Sequence, residues 1–353
     1  MTGLRRKIDN FCRSEPTAVT HNLTFSSHYA RAALYGLQQQ RSDWRELLQQ
    51  RGIDYGLIQE PLARIPTEQF VNLFRLVWRV LDDEFMGRSR QPCRVGHFHL
   101  MGSLVVHADN LAEVLRQSIR CYDLFSDDIV IELIEHEQQV ELSITHTQPQ
   151  LDPDNFLVEW LLLVWHRLCG WLIDQTIVLS QAGFQHALPA HFDEYQFVYP
   201  CRCHFEQARN SLFFSQRYMA MPVVRSTAEL DAFVHDSPRH LMIWAGEDDS
   251  LTTRVRRVLE HSAAPKLPTL EQVAVQLHMT SYTLCRKLKA EGSAYQKIKD
   301  NLRRDQAVTM LTRQNLSIAD ISTELGFAEP GAFSRAFKSW TGVSPLAYRQ
   351  HEG

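Results

Sequence analysis

Four side chains near the C-terminal end have types and spacing that suit contact with nucleic acid. Tyr282, Cys285, Arg286 and Lys289 are spaced i, i+3, i+4 and i+7, which places them on one face of a helix. An arginine on such a face can donate two hydrogen bonds to guanine in the major groove. Lys289, like Lys338 further on, is either a phosphate contact or a solvated helix end. The pattern predicts a helix that reads base edges through its outward face.

A second copy of this pattern follows along the chain. Leu284-Cys285-Arg286 corresponds to Phe333-Ser334-Arg335, and Val273-Ala274 corresponds to Ile321-Ser322. Two amphipathic helices with a turn between them occur in many all-α domains, where they serve only packing. A tandem repeat with an outward arginine in each copy favours two DNA-reading units instead.

Other stretches contain residue types of metal or enzyme sites. His97-Phe98-His99, near His107, would place two imidazoles on one face of a predicted strand, and Cys201-Arg202-Cys203-His204 offers thiols and an imidazole. A zinc site needs further ligands at suitable spacing, which neither stretch supplies. The sequence also lacks a G-x-S-x-G elbow, a P-loop, H-E-x-x-H and a dinucleotide-binding glycine pattern. We therefore expect no metal, no cofactor, no catalytic residue and no enzyme activity.

The first DNA-reading face needs a helix-turn-helix to hold it. Thr269 and Gln272 have the spacing of a capping box that opens one helix. Thr280 can cap the next helix, whose Leu284 and Leu288 point inward. Gly292, which follows that helix, is expected to end it.

The second unit has the same signals. Ser317 and Asp320 resemble a capping box, and Gly326 closes the helix that they open. The next helix is expected to begin near Ala328, with Pro330 in its first turn. Between the two units, residues 294–313 read as one long helix whose apolar positions drift around its axis. A drifting stripe suits a connector that packs on two bodies in turn.

Length and charge place these units beside a different kind of domain. The chain has 353 residues, and single cores rarely exceed about 250–300 residues. From Leu251 onward there are 15 Lys and Arg against 9 Asp and Glu, a net charge of +6, whereas the preceding residues carry −10. A basic end on an acidic body indicates a polyanion-binding domain attached to a domain of another function. Seven scattered cysteines suit a reducing cytoplasm.

The preceding residues have mixed helix and strand patterns. An amphipathic stripe predicts a helix over residues 66–85, and Val140, Leu142 and Ile144 alternate as in a half-buried strand that pairs with residues 129–134. Residues 95–106, 176–180, 195–201 and 211–215 are weaker strand predictions. The apolar run from Phe156 to Ile173 contains charged residues and is expected to be a buried helix rather than a membrane span. The N-terminus does not have the pattern of a signal peptide.

The fold class expected is an α+β N-terminal domain followed by an all-α C-terminal domain with two helix-turn-helix units joined by a long helix. The expected boundaries are a flexible tail over residues 1–20, an effector-sensing or dimerisation domain over 21–244, a linker over 245–250 and a DNA-binding domain over 251–353. Within the last, the units span about 269–290 and 317–340.

The C-terminal motifs closely resemble those of the AraC/XylS family of bacterial transcription regulators. The similarity covers about the last hundred residues and is strongest in the following segments: Ser317-Ile318-Ala319-Asp320-Ile321, Leu325-Gly326-Phe327, Phe333-Ser334-Arg335-Ala336-Phe337-Lys338 and Gly342-Val343-Ser344-Pro345. The resemblance implies two recognition helices in adjacent major-groove segments. Carried over by position, these residues would face DNA: Ser281, Tyr282, Cys285 and Arg286 in the first helix, and Pro330, Gly331, Ala332 and Arg335 in the second.

Two departures from the family pattern concern the second helix. Ala328 stands where the family often has a serine cap, and Pro330-Gly331 stands where a polar residue is usual. We therefore expect the first unit to supply most of the sequence specificity.

The N-terminal region resembles the arabinose-binding-like domain of the ornithine-utilisation-regulator subgroup, through scattered residues such as Pro61-Leu62-Ala63-Arg64-Ile65-Pro66. The resemblance implies an effector-responsive activator in the cytoplasm, with an unknown small-molecule effector. The implied partners are double-stranded DNA, RNA polymerase and a second copy of the chain. No association with a membrane is expected. One alternative is a constitutive regulator whose N-terminal domain only dimerises. Another is a DNA-repair enzyme fused to a DNA-binding module, with Cys169, Cys201 or Cys203 as the reactive thiol.

Overall fold

The computed structural model describes residues 24–243, 251–262, 267–291, 293–313 and 316–350. The expected N-terminal tail, the linker over residues 245–250 and the helix stop at Gly292 lie outside the described residues.

The N-terminal domain contains two sheets. A small antiparallel pair joins β1 (Thr24–Ser26) to β2 (Arg64–Pro66). The main sheet has the strand order β3-β4-β7-β5-β6 and is antiparallel except between β5 and β6. Its strands are β3 (Ile129–Glu135), β4 (Gln139–His146), β5 (Leu179–Gly183), β6 (Arg202–His204) and β7 (Asn210–Ser215). The predicted hairpin is confirmed, with Ile131 opposite Ile144, because the alternating apolar residues of β4 face the core.

Helices surround these sheets. They are α1 (Ser27–Ala33), α2 (Tyr35–Gln40), α3 (Trp44–Gln49), α4 (Tyr55–Gln59), α5 (Thr67–Leu81), α6 (His97–Val105), α7 (Leu111–Phe125), α8 (Phe156–Leu172), α9 (Tyr195–Val198), α10 (Thr227–His235) and α11 (Arg239–Ile243). Helix α5 confirms the amphipathic helix predicted there, with Phe70, Leu73 and Phe74 buried. The mixed α+β class predicted for this domain is therefore correct.

Helix α8 is the centre of the N-terminal core. Every one of its residues is buried, including Glu159, His166 and Arg167. Trp160, Trp165 and the other apolar side chains of the helix join the domain's contiguous apolar core. Across the residues that the structure describes, no helix has the length and apolar character needed to span a membrane.

Two predicted strands are wrong. Residues 95–106 contain helix α6, because the Glu84 carboxylate accepts hydrogen bonds from the Gly96 and Phe98 amides (2.8 and 2.9 Å) and fixes the start of the helix. Residues 195–201 contain α9, because the hydroxyls of Tyr195 and Tyr199, one helical turn apart, both bond to Glu159. Both helix starts depend on contacts with residues distant in sequence.

The C-terminal domain is helical, as predicted. Its helices are α12 (Leu251–Glu260), α13 (Leu270–Gln276), α14 (Ser281–Ala290), α15 (Tyr295–Arg313), α16 (Ile318–Glu324), α17 (Pro330–Thr341) and α18 (Pro345–Gln350). The drifting stripe predicted for the connecting helix α15 is confirmed. Ile298 and Leu302 pack in a core formed by α12, α13 and α14, whereas Ala307 and Leu311 join the core that contains the second unit and the N-terminal domain.

Candidate nucleic-acid interface

Helices α13 and α14 form the first helix-turn-helix, and their caps explain where each helix begins. The Thr269 hydroxyl accepts from the Gln272 amide, and the Gln272 side chain accepts from the Thr269 amide, which is the predicted capping box. The Thr280 hydroxyl accepts from the Thr283 amide at 3.1 Å and caps α14. These two caps fix the register of α14 and therefore which of its side chains point outward.

The outward face of α14 carries the side chains expected to read DNA. Tyr282 is 76% exposed, and Cys285, Arg286 and Lys289 are also exposed. Ser281, at the start of the helix, is half-buried. On the opposite face, Leu284 and Leu288 are fully buried against α12 and α13. The structure thus brings the four predicted side chains onto one solvent-facing surface, which we call the α14 face.

Helices α16 and α17 form the second unit. Ser317 and Asp320 make the predicted capping box on α16. The residues of α17 that were predicted to face DNA are exposed except Ala332, which is half-buried; the exposed ones are Pro330, Gly331, Arg335 and Lys338. Its buried side is formed by Phe333 and Phe337.

The start of the second recognition helix differs from the prediction. Its N-cap is Glu329 rather than Ala328, and Pro330 is the first helical residue. The turn between helices therefore has one more residue in this unit than in the first, where Thr280 is the cap. Helices α13 and α16 end at equivalent positions of the repeat. The extra turn residue therefore moves the N-cap of α17 one position further along the chain.

Sequence reasoning missed an ion pair on this helix. The Arg335 guanidinium donates to the Glu329 carboxylate at 3.1 Å, with both side chains exposed. A guanidinium nitrogen that donates to a carboxylate is less available to guanine, so the contact with Glu329 competes with base reading. The only sequence signal was an acidic residue beside the helix start, six positions before the arginine.

The turn of each unit contains one residue in the left-handed backbone conformation, and the residue type differs between the two units. Gly326 has φ of +72° in the second unit, and His278 has φ of +55° at the equivalent place in the first. Glycine adopts this conformation freely, whereas a residue with a Cβ pays about 1–2 kcal/mol.

Replacing His278 by glycine is expected to stabilise the first unit by up to about 1 kcal/mol, because it removes this backbone strain at an exposed position. Urea unfolding followed by circular dichroism would measure the change. Gly326→Ala is the matched control and is expected to destabilise by a similar amount. A His278→Gly chain that is less stable than the parent would show that the imidazole contributes more than the strain costs.

The structure arranges the two candidate stretches differently from what the sequence suggested. His97 and His99 lie on a helix rather than on a strand face, and His99 pairs with Asp231 at 2.8 Å. The Cys203 thiol donates to the Cys201 carbonyl at 3.7 Å. Burial raises the pKa of the Cys169 thiol to about 12, which is unfavourable for a nucleophile.

A buried polar network, which the sequence did not predict, joins the two domains. We call the interdomain network the set Thr24, Arg64, Glu194, Asp305 and Tyr348. The Thr24 hydroxyl donates to Asp305 on the connecting helix at 2.6 Å. Arg64 donates to the Thr24 hydroxyl at 3.0 Å and to the Glu194 carboxylate at 2.6 Å. The Tyr348 hydroxyl of α18 donates to the Arg64 carbonyl.

The same network is anchored on the C-terminal side by further charges. Asp305 accepts from Arg304 and from Arg256 of α12, each at 3.3 Å. Asp305 and Arg304 are both buried. Because a buried charge is costly without partners, these contacts hold helix α15 in a defined position against β1 and β2.

Two helix-turn-helix units on a shared connecting helix, attached to an α+β domain, define a two-domain DNA-binding regulator. Residues 42–223 match the arabinose-binding domain found at the N-terminus of AraC transcription regulators, and residues 273–351 match a helix-turn-helix domain. The chain therefore belongs to the AraC family of transcription regulators, and it is a DNA-binding regulator of transcription.

Several individual proteins are similar to this chain. The chain is 28% identical over 261 residues to the ornithine utilization regulator of Pseudomonas aeruginosa, covering 74% of this chain and 76% of that protein. It is 35% identical over 98 residues to the transcriptional activator NphR of Rhodococcus sp., covering 28% and 29%. The crystal structure of the regulator CdpR from Pseudomonas aeruginosa is similar at 17% identity and a TM-score of 0.32, covering 94% of this chain and 100% of that one.

Proposed function

We propose that the protein is an effector-responsive activator of transcription whose first helix-turn-helix reads the operator sequence. The α14 face supports this role, because it offers an exposed aromatic ring, a thiol and two cations on a well-capped helix. Arg286 is the proposed guanine reader, Tyr282 and Cys285 contact base edges, and Ser281 and Lys289 contact the backbone.

The second unit is proposed to position the first. Helix α17 opens with Pro330 and Gly331, neither of which has a side-chain hydrogen-bond donor, and its Arg335 is held by Glu329. Gly331 and Ala332 allow the backbone to approach a phosphate closely, and Lys338 adds a cation at the far end of the helix. Most of the binding energy here would be independent of sequence.

The interdomain network is the observation that carries the proposal of effector control. It connects the N-terminal domain to helix α15, and α15 packs on both DNA-reading units. A ligand that changes the position of Arg64 or Glu194 would change the position of Asp305, and with it the angle between the two recognition helices. Regulation follows only if the ligand binds one arrangement more tightly than the other.

A cluster of titratable side chains next to the network is the proposed effector contact. Glu159, buried in α8, accepts from the Tyr195 hydroxyl and lies 3.0 Å from His186. Burial raises the pKa of Glu159. The His28 and His191 rings stack with centroids 3.5 Å apart, and burial lowers the pKa of His191 to about 4. The cluster adjoins Glu194, so that a polar ligand there would act directly on the network.

The remaining parts of the proposal follow from family membership. The domain boundary is placed in residues 245–250, with the DNA-binding units at about 269–290 and 317–340. Activation, and with it contact with RNA polymerase, is supported by the relative that is named an activator. A second copy of the chain is the proposed partner of the N-terminal domain. Because DNA is the target, the cytoplasm is the proposed location, and no catalytic function is assigned.

The test is a thermal-shift screen of the full chain against arabinose, ornithine and other amino acids, and fatty acids, followed by fluorescence anisotropy with operator DNA. An effector should raise the melting temperature and change the DNA affinity. In an Asp305→Asn chain, the same ligand should still raise the melting temperature but change the DNA affinity much less, because the network is weakened. Asp300→Asn is the matched control, because Asp300 lies on the same helix and accepts a hydrogen bond from the Gln296 side chain at 2.8 Å instead of joining the network.

The alternatives predict different results. If no ligand in the screen shifts the melting temperature and the DNA affinity is constant, the regulator is constitutive and the N-terminal domain serves dimerisation. If Asp305→Asn responds as fully as Asp300→Asn, the signal does not pass through the interdomain network. Transfer of a methyl group from alkylated DNA to Cys201 or Cys203 would support the repair-enzyme alternative.

A further inference from the structure

A cluster of three potential metal ligands lies in the N-terminal domain, away from both the network and the DNA-binding helices. Within the described residues, one group of three or more His, Cys, Asp or Glu side chains is close enough to hold a metal ion, and it consists of Glu84, Cys93 and His97. The three ligand atoms all lie within 4.8 Å of one another. The sequence predicts no metal at His97, because His97 and His99 lack a third ligand or a carboxylate at suitable spacing.

The imidazole of His97 has an unusual environment. His97 is only 7% exposed, yet neither ring nitrogen has a hydrogen-bond partner among the described residues. The large majority of buried side-chain polar atoms have such a partner, so a buried histidine with neither nitrogen bonded needs an explanation. The rings of Tyr122 and Phe125 pack edge-on against it, with centroids 5.0 and 4.5 Å away, and hold its orientation.

The other two ligands are held in place by backbone hydrogen bonds. The Glu84 carboxylate accepts from Gly96 and Phe98, and each oxygen keeps a second lone pair. The Glu84 amide donates to the Cys93 carbonyl at 2.6 Å, and the Cys93 amide donates to the buried Asp83 at 2.7 Å. This loop is therefore ordered by its own contacts before any ion binds.

We propose that Glu84, Cys93 and His97 form a binding site for a divalent ion of the zinc class. A thiolate, an imidazole and a carboxylate are the ligand types that zinc takes in proteins, and three protein ligands leave a fourth position for water or another ligand. Tetrahedral zinc places its ligand atoms about 3.3–3.8 Å apart, so small side-chain rotations would close the present cluster around the ion. The ion would tie the loop after α5 to the start of α6.

The test uses the full chain, stripped with a chelator and titrated with Co²⁺. We expect one saturable equivalent, with the near-ultraviolet thiolate-to-cobalt band and the visible absorption of a tetrahedral ion, both lost when Zn²⁺ is added. Cys93→Ser should lose the thiolate band. His97→Asn, which retains the thiol, should weaken Co²⁺ binding at least about tenfold. The Cys201→Ser/Cys203→Ser chain, which alters the other thiol-containing stretch, should behave as the parent does.

Three results would overturn the proposal. The first is a parent chain that shows no thiolate band or no saturable binding. The second is a band that persists in Cys93→Ser, and the third is a band that disappears in Cys201→Ser/Cys203→Ser. The titration of the parent chain decides the first of these even if a variant fails to fold. Because the experiment measures metal binding alone, its result is independent of whether the proposed effector response exists.

Discussion

Replacement of Arg286 by alanine is expected to weaken binding to the operator by about 1–3 kcal/mol, or roughly 5- to 150-fold, while binding to scrambled DNA falls far less. The reason is that Arg286 is exposed on the capped helix α14, where a guanidinium can bond bidentately to guanine. Replacement of Arg335 should cost less discrimination, because its guanidinium is paired with Glu329 in the free protein. Anisotropy with specific and scrambled duplexes at fixed salt concentration measures both.

Two further variants separate base reading from phosphate contact. Lys289→Ala should weaken binding to both duplexes similarly and lower the slope of log affinity against log salt by about one. Glu329→Gln should release Arg335 and strengthen binding to scrambled DNA, since it also removes a negative charge from the interface. If Arg335→Ala alone abolished discrimination between the duplexes, the assignment of specificity to the first unit would be wrong. If Lys289→Ala left the salt slope unchanged, Lys289 would be a solvated helix end.

Replacement of Arg88 by methionine is expected to lower the free energy of unfolding of the N-terminal domain by about 3–5 kcal/mol, because it leaves buried carboxylate charge without its partner. Arg88 is fully buried and donates to Asp152 at 2.7 Å and to Asp154 at 2.5 Å. Asp152 in turn accepts from the Leu157 and Val158 amides at the start of α8. Loss of Arg88 therefore weakens the first turn of the central helix as well as the ion pair.

Urea unfolding followed by tryptophan fluorescence measures this change, since Trp160, Trp165 and Trp171 lie in the affected core. The control is Arg94→Met, which breaks an exposed ion pair with Asp82 at 2.6 Å and should cost less than about 1 kcal/mol. In Arg88→Met/Asp152→Asn, part of the loss should be recovered, because one of the unpaired charges is removed. Equal destabilisation by Arg88→Met and Arg94→Met would contradict the argument from burial.

The helices of the DNA-binding domain were predictable because their determinants are local. Thr269, Thr280 and Ser317 each cap a helix through a bond to a residue three positions ahead, and the sequence shows both partners. The spacing of apolar residues then decides which side chains face outward. The predicted cap at Ala328 was wrong by one residue, because the turn of the second unit is one residue longer than the turn of the first.

The N-terminal domain was less predictable, because its local patterns compete with distant contacts. Residues 95–106 contain enough β-branched and aromatic side chains to suggest a strand, yet Glu84, which precedes the segment, binds the first amides of a helix. The contact of Glu84 with these amides also decides which side chains meet in the proposed metal site. A pair of histidines two positions apart faces one side of a strand, but on a helix His97 turns toward Glu84 and Cys93 while His99 faces Asp231.

The sequence by itself determined the family, the α+β and all-α division and the outward face of each recognition helix, since each depends on short-range spacing and on residue type. Only the tertiary structure brought Arg64 and Thr24 to Asp305 and joined the second DNA-reading unit to the N-terminal core. The partners in these contacts can be far apart in sequence: Thr24 and Asp305 are separated by 281 positions. No local pattern marks such a pair, because its energy comes from burying both partners together, and burial is decided by the packing of whole domains.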